Sequence, residues 1–99
     1  MKSPKVSLSV NYVTIPVEDF VQEFIERVVT GMLAVLKDSG ELKDAHLSID
    51  NDTVDINIDN NVIPVNPFVS MFIKNTVVGM VSSLKGVGQI DRLEINITK

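Results

Sequence analysis

Ile15-Pro16-Val17 runs on through Phe20, Phe24, Gly31 and Met32 to Leu36-Lys37, and Ile63-Pro64-Val65 runs on through Phe68, Phe72, Gly79 and Met80 to Leu84-Lys85. The two stretches are versions of one another. Sliding the chain against itself by 48 positions aligns them without a gap and leaves 51 residue pairs, of which 15 are identical. Chance at average composition gives about 6 % identity, so the match is not a matter of composition. Identities outside the helical stretches include Val6/Val54, Gly40/Gly88 and Ile49/Ile97. The chain reads as a single domain, residues 1–99, made of pseudo-repeats 1–50 and 51–99, each with the order strand, helix, strand.

Hydrophobic period supplies those elements. From Lys5 to Asn11, Val6, Leu8 and Val10 alternate with Ser7, Ser9 and Asn11, the pattern of a half-buried strand that Ile15-Pro16 would stop. Ala45, Leu47 and Ile49 alternate with His46, Ser48 and Asp50; Val54, Ile56 and Ile58 alternate with Asp55, Asn57 and Asp59. Asn51-Asp52 between them suits a two-residue hairpin loop, which sets Ile49 opposite Val54, Ser48 opposite Asp55 and His46 opposite Asn57. Asn60-Asn61 closes this strand, and a last one carries Leu93, Ile95 and Ile97 inward.

From about Glu18 to Lys37 the period becomes 3.6. Phe20, Val21, Phe24, Ile25, Val28, Val29, Met32, Val35 and Leu36 fall on one broad arc, so Phe24 and its counterpart Phe72 are expected in the core. Asn66 is a good N-cap before Pro67, and the second helix is expected to run to about Lys85 and end at Gly86 or Gly88, as Gly40 would end the first.

Four strands with one polar face each call for an antiparallel sheet with both helices on one side. This βαββαβ order resembles the ferredoxin-like α+β two-layer sandwich, a four-stranded antiparallel sheet of order 4-1-3-2. The resemblance is one of topology over the whole chain. It implies no activity, because that superfold hosts many.

Composition excludes several functions. With no cysteine, a thiol nucleophile, a disulfide or a Cys-ligated metal is impossible. A net charge of −4 with nine scattered basic residues offers no phosphate-binding patch, so nucleic acid is not an expected partner. Nor is a membrane: the longest apolar segment, Val65 to Leu84, is interrupted by Lys74 and Asn75. Met1-Lys2-Ser3-Pro4-Lys5 leads into a strand rather than an apolar run, which points to the cytoplasm.

Where the halves differ, the second helix is the more apolar. Met71 and Val78 replace Glu23 and Thr30, and Asn75 replaces Arg27. A helix apolar nearly all round needs a second covered face, so Met71, Phe72, Asn75, Val78 and Ser82 form a candidate self-association surface, most simply that of a homodimer. Gly31 and Gly79 are helix-interior glycines at matched positions, suited to a close helix approach, to room for an aromatic ring, or to a ligand reaching backbone. His46, the only histidine, with Asp55, Asn57 and Asp59 makes a polar group that could bind a ligand. Asp50, Asp52, Asp55 and Asp59 lack the glycine and terminal glutamate of a calcium loop, so no metal site is expected. Neither a phosphate loop, a serine elbow nor a histidine pair is present, and no catalytic residue or cofactor is indicated. The expectation is a non-catalytic association module, the alternative a regulatory domain holding a small molecule between subunits.

Overall fold

The computed structural model describes residues 5–37, 42–84 and 86–98. In chain order its elements are β1 (Lys5–Val10), β2 (Val13–Ile15), α1 (Asp19–Lys37), β3 (Asp44–Asp50), β4 (Thr53–Ile58), β5 (Asn61–Val62), α2 (Pro67–Ser82) and β6 (Arg92–Thr98). The four long strands bury the alternate residues that their sequences mark as apolar. Cross-strand pairing sets these into three rows: Val6, Ile97, Ala45, Ile58; then Leu8, Ile95, Leu47, Ile56; then Val10, Leu93, Ile49, Val54. Leu47 faces Ile95, and these two lie 48 positions apart, so the relation between the halves turns about the middle of the sheet.

The four-stranded ferredoxin-like sheet of order 4-1-3-2 does not form. The sheet has six strands, all antiparallel, in the order β2-β1-β6-β3-β4-β5. The second strand of each half (β3, β6) lies at the centre and the first strand (β1, β4) on the flank, the reverse of the expected arrangement. The turns explain it. The first strand does not run on to Ile15-Pro16; Asn11 and Tyr12 take φ of 51° and 67°, and the chain folds back as β2 with Ile15 beside Leu8. Forty-eight residues later Asp59 and Asn60 take φ of 50° and 69°, and β5 folds back with Val62 beside Asn57. Positive φ at both central residues marks a type I′ hairpin turn. A strand whose own continuation covers one edge has a single edge left for another long strand, so β1 and β4 must stand on the flanks.

The hydrogen bonds at these turns are equivalent as well. Asn11 Oδ1 accepts from the backbone N–H groups of Asp91 and Arg92, both at 2.9 Å. Asp59 Oδ1 accepts from those of Lys43 and Asp44, also at 2.9 Å. Each bond fixes the start of a central strand against the flanking turn. The β3–β4 hairpin has the register its Asn51-Asp52 loop predicts: Ile49 with Val54, Ser48 with Asp55, His46 with Asn57.

Each helix meets the sheet along a narrow stripe at strict i, i+4 spacing, Ile25, Val29 and Leu33 on α1 and Ile73, Val77 and Val81 on α2. The broad arc expected to be core is only partly covered. Phe20, Phe24 and Val35 are 74, 52 and 79 % exposed, and Phe68 and Phe72 are 72 and 59 % exposed. A sheet beneath a helix covers one stripe, and the flanks stay dry only where the neighbouring helix packs against them. Here a groove separates the helices instead. Asn66 caps α2, its Oδ1 accepting from Val69 N–H at 2.8 Å, with Pro67 first in the helix. The helix ends at Ser82 rather than near Lys85, because the Ser83 N–H closes back onto the Met80 carbonyl and the Leu84 N–H onto that of Val81 before Gly86. Gly40 and Lys85 fall outside the described residues. Among the described residues no helix is long and apolar enough to cross a membrane.

Candidate association surface

On each helix the first two turns carry a pair of phenylalanines four residues apart that the stripe facing the sheet cannot reach. The Phe20 and Phe24 rings lie 6.3 Å apart at 53°, and those of Phe68 and Phe72 lie 6.1 Å apart at 52°. Each pair stabilises itself as a tilted aromatic contact, yet every ring keeps half or more of its surface in water. The apolar surface is therefore shared by both helices, not confined to the second.

Of the residues expected on the α2 surface, Met71 and Phe72 are exposed at 63 and 59 %, and Asn75 and Ser82 are exposed too. Val78 is half-buried and packs on the core, so it belongs to the fold more than to the surface. Lys74 is the sole charge on α2, and its Nζ is held 2.5 Å from Asp52 in the β3–β4 turn. That bond, followed by the charge of Lys74, holds the Asp52 carboxyl below its ordinary 3.8. On α1 the exposed charges Glu23 and Arg27 pair with one another at 2.8 Å.

The helices run antiparallel. Phe20, Phe24 and Val28 from the start of α1 line one groove with Thr76, Met80 and Leu84 from the end of α2. The groove holds about 470 Å³, and among the described residues its only polar side chains are Thr76 and Ser83. Thr76 Oγ1 already donates to the Phe72 carbonyl, and Ser83 Oγ to that of Gly79.

Gly31 and Gly79 lie outside this packing altogether. A Cβ on either would meet nothing within 4 Å, so neither a close approach of α1 to α2 nor space for an aromatic ring accounts for them. Glycine in a helix interior costs about 1 kcal/mol relative to alanine. Among the described residues no close contact at either position offsets that cost.

The remaining candidates lie on the opposite face of the sheet and do not converge with the glycines. His46 is half-buried beside Asn57, and its Nδ1 lies 2.5 Å from Asn96 Oδ1. Asp55 sits across from Ser48, while Asp59 is engaged in the turn by two backbone N–H groups. Asp50 takes a hydrogen bond from Arg92 Nη1 at 3.2 Å, and Glu94 takes one from Arg92 Nη2 at 3.1 Å. The Tyr12 ring stacks 5.3 Å from the Arg92 guanidinium, which is raised above its ordinary value chiefly by the bond to Glu94. Among the described residues no three acidic or histidine side chains come together as metal ligands. Asp50, Asp52 and Asp59 are spent on turns and ion pairs.

Reading the helices as broad apolar arcs missed the exposure of Phe20, Phe24, Val35 and Phe68. The available signal was the stripe itself: Ile25, Val29 and Leu33 already complete one sheet-facing row, and the phenylalanines lie further round the helix. No family model, curated protein or solved structure matches this chain.

Proposed function

We propose that this chain is a non-catalytic association module, formed by doubling of a half-domain, and that its helical face is covered by a second copy of itself. The observation that carries the reading is the exposure of four phenylalanines on one face. At 150–250 Å² per aromatic side chain, these rings alone present on the order of 500 Å² of apolar surface, as much as the largest patch on a typical monomer. Met71 and Val35 bring the face toward the roughly 800 Å² that each partner contributes to a standard interface.

Other routes to association are weaker. The outermost strands are the three-residue β2 and the two-residue β5, each followed closely by a proline, Pro16 or Pro64, with no N–H to pair, and they leave only short stretches of β1 and β4 as open edge. The open sheet face is polar, and its Arg92 is paired within the chain. Sedimentation equilibrium of the pure protein tests the reading: a dimer is expected at micromolar concentration, and Phe24→Glu with Phe72→Glu should give a folded monomer. A wild-type monomer at several hundred micromolar overturns it.

A second reading draws on the groove, whose volume lies within the range of small-molecule pockets. There the module would hold an apolar ligand between subunits. With no charged group among the described residues that line the groove, the ligand would be a lipid-like molecule rather than a nucleotide or amino acid. A thermal-shift screen with fatty acids against amino acids and nucleotides separates the two.

A further inference from the structure

The glycines and phenylalanines of the helical face have matching geometry across two copies. Gly31 follows Phe24 by seven residues, about 10 Å along the helix at 1.5 Å per residue. Gly79 follows Phe72 by the same interval. Because α1 and α2 run antiparallel, the phenylalanine ends stand at two diagonally opposite corners of the face. The glycines lie toward the other two. A second copy turned over about an axis in the plane of that face brings every phenylalanine corner over a glycine.

Two such axes exist, and charge distinguishes them. An axis across the helices lays α1 on the partner's α1, setting Arg27 against the partner's Arg27 near the centre of a face from which water is excluded. Like charges brought together there are unfavourable even though each Arg27 is also paired with Glu23 of its own helix. An axis along the helices lays α1 on the partner's α2, where Arg27 meets the partner's Asn75, an amide that accepts a hydrogen bond and carries no charge. All the exposed charge of the face is on α1, and α2 is the neutral surface it needs.

We infer that the dimer pairs α1 of each copy with the partner's α2, antiparallel, with Phe24 and Phe72 seated over the partner's Gly79 and Gly31. This rests on the dimer reading above. It gives the glycines the role that the single chain leaves open: a bare backbone against which a ring can lie, where small residues let helices approach closely. It also makes the differences between the halves functional, since one helix supplies the charge and the other the neutral surface.

The absence of cysteine allows a direct test by oxidative cross-linking. Chains carrying Arg27→Cys mixed with chains carrying Asn75→Cys should cross-link several-fold more than either variant alone. Gly31→Leu with Gly79→Leu should weaken dimerisation at least tenfold in sedimentation while helical circular dichroism is retained, because nothing in the chain opposes the added side chains. Self-linking of Arg27→Cys as readily as the mixture overturns the packing, as does a dimer that fails to cross-link or one that the leucines leave intact. In those cases the dimer reading stands. A wild-type monomer removes both.

Discussion

The two broad faces of this molecule solve the same problem in opposite ways. On the open sheet face, side chains that alternate outward from β3 and β6 find partners among themselves: Arg92 with Asp50 and Glu94, and His46 with Asn96. On the helical face, four phenylalanines pair only with one another and remain mostly in water. Polar groups can be satisfied by neighbours of the same layer or by solvent. Apolar surface is satisfied only by exclusion from water, which the second copy proposed above would supply. The comparison teaches that the apolar surface this chain leaves in water lies in its helical layer.

The sharpest way to break this contrast is to compare truncations above and below the helices. Leu47→Ala removes a fully buried side chain from the central row and should destabilise the domain by about 2–5 kcal/mol in urea unfolding. Phe24→Ala removes a half-exposed ring, and in a monomeric background it should cost well under the roughly 3 kcal/mol of a core phenylalanine. Equal losses for the two would return Phe24 to the core. Between them lie the turns. Asn11→Ala and Asp59→Ala each remove an oxygen that accepts from two backbone N–H groups and a residue tolerant of positive φ, so each should cost about 1–3 kcal/mol. The halves are equivalent here only if the two losses agree.

The smallest effect concerns the single ion pair of α2. The Asp52 carboxyl is held below its ordinary 3.8, so its contribution is fully present above that value and is lost as pH falls through the lower folded value. Asp52→Asn should therefore be slightly less stable than wild type near neutral pH and indistinguishable from it in strong acid. The pair is open to solvent at the aspartate, and added salt should shrink the difference. A difference that persists in acid would show that Asn51-Asp52 acts through its turn geometry instead.

Several features are legible in the amino-acid sequence. A two-residue loop leaves no freedom in register, so Asn51-Asp52 sets every pair of β3 with β4. Asn66-Pro67 marks the start of α2, because a side-chain acceptor and a missing N–H suit a helix N-terminus and little else. The strand order is not legible there. Alternation shows which face of a strand is buried but says nothing of its neighbours, and β1, β3, β4 and β6 alternate alike. The deciding signal is short: Asn11-Tyr12 and Asp59-Asn60, 48 residues apart, each turning the chain back into a strand too brief to show a period.

The exposed phenylalanines escape for a related reason, since helical phase ranks residues around an axis without setting how wide an arc the sheet will cover. Sequence by itself determined the four long strands with their inward residues, the presence of the two helices, the β3–β4 register and the likeness of the two halves, all of which depend on neighbours within a few positions or on a fixed offset. Tertiary structure decided which strands stand at the centre, that α1 and α2 leave a groove between them, and that Phe20, Phe24, Phe68 and Phe72 face water. Those outcomes depend on which edges and flanks remain uncovered once all the elements compete for the same sheet.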